Sequence, residues 1–146
     1  MGVLEGRRKR LGKMGRGIRP TASRVKGAIF NMVPPELLQE GRVLDGYAGT
    51  GALGLEALGR GARWADFIER DPRLCKGIQE SLKKAGLEKE ARVHCTSVSK
   101  ALTFLAEPYD VVLLDPPYAL GGIDAIMARI GEVGLLRSGA LLVLEH

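Results

Sequence analysis

From residue 42 onward the chain alternates two hydrophobic patterns. Short, mostly apolar runs at 43–44, 65–68, 91–95, 109–114 and 140–144 read as strands. Between them, apolar residues recur at helical spacing. Residues 52–58 form one such helix, closed by Gly59 and Gly61. Residues 72–85 form another, with Leu74, Ile78, Leu82 and Ala85 on one face and Gly86 as its stop. Residues 100–105 read as a third, and Ile123, Ile126, Met127 and Ile130 mark a fourth. Ahead of them, Val25, Ala28, Ile29 and Met32 predict a helix capped by Thr21 or Ser23 and stopped by Pro34-Pro35. Short apolar strands separated by helices predict an α/β fold: a doubly wound, mostly parallel sheet with helices on both faces.

Length and composition add bounds. The 146 residues suit one compact domain, here 20–146, preceded by a Gly- and Arg/Lys-rich arm or hairpin at 1–19. No apolar run reaches the roughly 20 residues of a membrane span, and no apolar stretch follows the basic start as in a secretory signal. A cytoplasmic protein with no membrane partner is the expectation. Cys75 and Cys95 form no CxxC pair, and with only His94 and His146 beside them no metal site is expected. Buried or half-buried free thiols are the reading.

Charge changes the picture more. The net +5 is concentrated: residues 1–26 hold nine Lys/Arg against Glu5 alone, while the remainder holds thirteen basic and sixteen acidic residues. Such clustering is the footprint expected of a phosphate-backbone partner. A solvated basic arm without a specific partner is the plain alternative.

Three features carry candidate chemistry, and all follow strands, where ligands of such sheets bind. Asp45-Gly46-Tyr47-Ala48-Gly49-Thr50-Gly51 is a Gly-rich strand-to-helix turn that lets the backbone approach a ligand. No Lys-Ser/Thr follows it, and Asp45 stands where a pyrophosphate would otherwise sit. A carboxylate beside glycines suits a ligand with an ammonium or sulfonium group, such as S-adenosylmethionine (AdoMet). Glu69, 24 residues on, is placed to accept hydrogen bonds from a ribose diol; a solvated surface acid is the alternative. Asp115-Pro116-Pro117-Tyr118 follows the buried fourth strand. Two prolines fix φ and remove amide donors, leaving a rigid turn with outward carbonyls. The Asp115 carboxylate and a nearby carbonyl then each accept one N–H of an aromatic amine, aligning its nitrogen for in-line methyl transfer. Tyr118 supplies a face for stacking a base. An ordinary strand-ending turn is the alternative reading of this tetrapeptide.

In that order and spacing, these motifs resemble the Rossmann-like class I methyltransferases that modify amino groups. The block Arg19-Pro20-Thr21, then Arg24 through Asn31, with Val43-Leu44-Asp45 and Ala48 through Ala62, is similar to the bacterial 16S ribosomal RNA guanine-N2 methyltransferase family. The resemblance runs over nearly the whole chain. It implies methylation of a guanine N2 in small-subunit ribosomal RNA, within an assembled or partly assembled particle, by a monomer. It implies AdoMet held by Asp45, Gly46, Tyr47, Ala48, Gly49, Gly51 and Glu69, with Asp115–Tyr118 as the target-amine site. Arg19, Thr21 and Asn31 are expected near the cofactor and base pocket, and Arg7, Arg8, Lys9 and Arg10 on the RNA. Two departures stand out. Where the family carries an acid after strand three, this chain has Ser97, whose hydroxyl or the Val98 amide would meet the adenine instead. The family sheet also continues past strand five, whereas this sequence stops at His146, as a truncated chain would. Methylation of DNA adenine N6 or of a protein glutamine uses a related tetrapeptide, and an RNA-binding module without catalysis remains a further alternative.

Overall fold

The computed structural model describes residues 2–4, 23–117 and 121–145. In chain order the elements are β1 (Gly2–Leu4), α1 (Ser23–Asn31), α2 (Pro35–Leu38), β2 (Arg42–Asp45), α3 (Ala52–Gly59), β3 (Trp64–Glu69), α4 (Pro72–Ala85), β4 (Ala91–Cys95), α5 (Val98–Ala101), β5 (Tyr109–Leu114), α6 (Ile123–Glu132) and β6 (Leu136–Leu144). The sheet order is β1-β6-β5-β2-β3-β4. Strands β2 to β6 are parallel, as the alternation predicted, in the arrangement that the resemblance to Rossmann-like enzymes implied. The reversal of direction between β2→β3→β4 and β5→β6 places a crevice above the carboxyl ends of β2 and β5.

Side-chain alternation along the strands builds a core on each face. On one face Val43, Phe67, Val111 and Leu113 meet Ile29 of α1, Ala57 of α3, and Ile78 and Leu82 of α4. On the other, Leu44, Ile68, Val112 and Leu114 meet Ala101 of α5 and Ile130 of α6. Helix α4 shows the local logic: Asp71 accepts from the Arg73 amide at its start, Pro72 occupies the first turn, and Gly86 ends it at φ 73°. Its buried stripe is Cys75, Ile78 and Leu82, while Leu74 is only half-buried and Ala85 is exposed. Close approach also requires a glycine in α3. A Cβ on Gly54 would stand 2.4 Å from Cε2 of Phe67, so only glycine lets this helix lie against β3.

Several boundaries differ from the sequence expectation, each for a physical reason. The helix expected at 100–105 is instead Val98–Ala101, because the Ser97 hydroxyl accepts from the Lys100 amide and starts the helix earlier. Residues 102–105 continue only as isolated turns. Pro35 does not merely stop α1; it opens α2, a position where its missing N–H costs nothing. Cys75 is buried as expected, but Cys95 ends its strand exposed. β6 begins at Leu136, ahead of the apolar run, and β1 adds an antiparallel edge with Gly2 opposite Leu144 and Leu4 opposite Leu142. Among the described residues no helix is long and apolar enough to cross a membrane.

Candidate functional site

The parallel register brings four chain segments to one edge of the sheet. Asp45 ends β2 opposite Phe67 and Leu113, Glu69 ends β3 opposite Cys95, and Asp115 follows β5 directly. Above them lies a cavity of about 580 Å³, within the range of small-molecule sites. Its lining includes Tyr47 and Gly49 from the first turn, Glu69 and Arg70 after β3, Thr96 through Ser99 after β4, and Asp115 and Pro117 after β5. Gly121, Gly122, Ala125 and Ile126, around the start of α6, close the far side.

The Gly-rich turn is held by backbone bonds at both ends. The Gly46 amide donates to the Leu113 carbonyl at 2.9 Å and the Ala48 amide to Ile68 at 2.9 Å. Gly51 then adopts φ 83° to cap α3, a conformation that disfavours any side chain. Glu69 ties this turn to the next: one carboxylate oxygen accepts from the Gly49 amide at 2.8 Å, the other from the Asp71 amide at 2.9 Å. Each oxygen keeps lone-pair capacity toward the cavity, so Glu69 presents two fixed acceptors suited to a vicinal diol.

Asp45 lies behind the lining rather than in it, with 1% of its surface exposed. Its carboxylate accepts from the Gly54 amide at 2.9 Å, fixing the first turn of α3. Burial pushes its pKa up to about 7, the Gly54 bond opposes this, and the carboxylates of Asp115 and Glu69 add to the rise. The three acids thus share one electrostatic neighbourhood, and a cation placed among them would relieve their mutual repulsion. Gly46, Ala48 and Gly51 of the turn are likewise buried and do not line the cavity.

Ser97 and Val98 both line the cavity. The Ser97 oxygen already accepts from the Lys100 amide at 3.1 Å, so it serves as the cap of α5 as well. Pro116 is buried and Pro117 exposed, which anchors one half of the turn and presents the other. Asn31, exposed at the end of α1, is not brought to the cavity. Tyr118, Arg7, Arg8, Lys9, Arg10, Arg19 and Thr21 lie outside the described residues. Arg70, Thr96, Ser99 and the start of α6 are lining residues that sequence reasoning missed. Arg70 had a signal in its position beside Glu69; the α6 residues belong to no motif. Among the described residues no group of three or more His, Cys, Asp or Glu is arranged to hold a metal.

Comparison with known proteins extends this geometry. The family described as conserved hypothetical protein 95 matches residues 2–146. A Bacillus subtilis relative carrying a provisional rRNA methyltransferase name, YlbH, is 36% identical over 135 residues, covering 90% of this chain and 73% of its own. Ribosomal RNA small subunit methyltransferase D of Haemophilus influenzae is 35% identical over 136 residues, covering 88% of this chain and 68% of its own. A solved Escherichia coli structure with a provisional methyltransferase name, yhhF, superposes with a TM-score of 0.80 at 32% identity, covering 88% of this chain and 71% of that one. The chain therefore belongs to the conserved hypothetical protein 95 family, has the class I methyltransferase fold, and stands beside relatives named as ribosomal RNA methyltransferases.

Proposed function

We propose that this chain transfers a methyl group from AdoMet to the exocyclic N2 of a guanine in small-subunit ribosomal RNA, acting as a monomer on a ribosomal particle. The observation that carries the reading is the meeting of Glu69 with Asp115 and Pro117 on one cavity. One face of that cavity is suited to a ribose and the other to an amine.

The residues present fit the cofactor. Glu69 offers two pre-aligned acceptors for a ribose diol, and the neighbourhood of Asp45, Glu69 and Asp115 favours a positive charge. AdoMet, when bound, supplies an electrophilic methyl on a sulfonium. Asp45 acts from behind, holding the turn and α3 in place through Gly54. The Ser97 hydroxyl or the Val98 amide would meet the adenine edge. Asp115 accepts one N–H of the target amine and a nearby backbone carbonyl accepts the other. The nitrogen lone pair is thereby turned out of conjugation and toward the methyl. Pro116 and Pro117 keep that turn rigid, and Tyr118 stacks on the base. Arg7, Arg8, Lys9, Arg10, Arg19, Thr21 and Asn31 are assigned to the RNA. The relatives named for ribosomal RNA favour RNA over DNA or protein as the acceptor.

The test is incubation with methyl-labelled AdoMet and, in parallel, naked ribosomal RNA, small-subunit particles, DNA and a glutamine-containing protein. Label is expected in ribosomal RNA and to fall at least about a hundredfold in Asp115→Ala, as for loss of a polar group aligned on a transition state. Label in DNA or protein alone would overturn the acceptor, and full activity of Asp115→Ala would overturn the mechanism.

A further inference from the structure

At the opposite end of the sheet, near the amino ends of β2 to β5, a second cavity of about 630 Å³ opens. It lies beside the segment that follows the four-residue α5. Phe104 and Leu105 of that segment line it together with Arg42, Trp64, Arg92, His94 and Tyr109 of the strands.

The floor is locked. Buried Asp66 accepts from the Tyr109 hydroxyl at 2.6 Å, from His94 Nε2 at 2.9 Å and from the Arg42 guanidinium at 3.4 Å. Burial pushes its pKa up, but the hydrogen bonds from His94, Tyr109 and Trp64 prevail and hold it below the usual carboxylate range. Its charge is therefore spent on fixed donors. Arg42 lies over the rings of Trp64 and Tyr109, 5.8 and 5.2 Å from their centroids. Its guanidinium also meets Glu107 at 3.5 Å, and that acid is 73% exposed, a surface contact that a ligand can displace.

The rim is not explained by packing. Phe104 tilts against His94 with centroids 5.6 Å apart, yet is 51% exposed, the one large apolar side chain so exposed among the described residues. Arg92 is exposed and has no ion-pair partner among the described residues. A free aromatic face beside a free guanidinium, over a concavity of this size, matches the two faces of a nucleotide, a flat base and a phosphate.

We propose that this second cavity binds an unpaired ribonucleotide of the RNA substrate, with the base against Phe104 and the phosphate on Arg92 and Arg42. The contact is distinct from the transfer site, since Trp64 and Glu69 stand at opposite ends of β3, about 17 Å apart at 3.3 Å per residue. A macromolecular substrate spans that distance. The inference rests on the RNA reading above and adds a second anchoring point to it.

Trp64 is the chain's single tryptophan and lines this cavity, so its fluorescence reports occupancy directly. The experiment titrates the protein with a short single-stranded oligoribonucleotide and, separately, with an acidic peptide. We expect saturable quenching of Trp64 by the oligoribonucleotide, weakened at least tenfold in both Phe104→Ala and Arg92→Gln. AdoMet affinity and melting temperature should match the parent protein in both variants, and KM for ribosomal RNA should rise more than kcat falls. No quenching by the oligoribonucleotide, quenching unchanged in both variants, or a response to the acidic peptide alone would each overturn the proposal. Methylation of ribosomal RNA without Trp64 quenching defeats this inference and leaves the proposed function standing. Quenching that depends on Phe104 and Arg92 without methylation does the reverse.

Discussion

Glu69 lines the main cavity and ties together two of the turns around it. Its two oxygens hold the Gly49 and Asp71 amides, so its acceptor directions are set before any ligand arrives. Replacing it by Gln removes the charge and turns one acceptor into a donor facing an amide. AdoMet Kd measured by calorimetry should rise at least tenfold in Glu69→Gln, or about 1.4 kcal/mol, in line with the loss of a charged hydrogen bond. An unchanged Kd would remove Glu69 from the ribose role. Asp45 makes a different prediction, through its proton. Its folded-state pKa is raised from 3.8 to about 7, first by burial and then by neighbouring acids. Below pH 4 both folded and unfolded forms hold the proton. Between about pH 4 and 7 the unfolded chain has released it while the folded chain keeps it, so stability from this group falls as pH rises. At about 1.4 kcal/mol per unit the loss reaches at most roughly 4 kcal/mol. Thermal melts at pH 5 and pH 8 should therefore show a larger drop for the parent protein than for Asp45→Asn; parallel drops would contradict the account.

At the scale of elements, helix α3 is placed by what it lacks. With Gly54 against the Phe67 ring, an added methyl must push the helix from β3 or the ring from its rotamer. Gly54→Ala should cost about 1–3 kcal/mol of stability, as overpacking does, measured by denaturant unfolding; a neutral result would mean the interface yields more easily than its contacts imply. Much of this level was legible in the sequence. The strands at 91–95 and 109–114 and the helix at 72–85 are found where the pattern placed them, because period and capping are local signals. Helix α5 was misplaced because four residues carry almost no periodicity, and a single serine cap decides where it begins. The pairing of β1 with β6 was not legible at all, since it joins the two ends of the chain through backbone bonds that leave no side-chain pattern.

Over the whole molecule, charge is divided. Nine basic residues crowd the first 26 positions, while three carboxylates share the neighbourhood of the main cavity in a chain of net +5. That division suits the proposed pair of a polyanionic substrate and a cationic cofactor. The site was legible to the extent that its residues follow strands: Glu69, Asp115 and the Gly49 turn reach one cavity as their positions implied. The sequence did not show that Asp45 stands behind the lining, because burial depth depends on α3 lying over it. Nor did it show the far wall, which α6 supplies only after the chain has folded back. Whether the methyl is placed on guanine N2 of small-subunit ribosomal RNA is read from the product nucleoside itself. Small-subunit ribosomal RNA treated with the protein and AdoMet would be digested to nucleosides and resolved by chromatography and mass spectrometry. We expect N2-methylguanosine, absent when Asp115→Ala is used. A methylated adenosine, a guanine methylated on another atom, or no methylated nucleoside would contradict it.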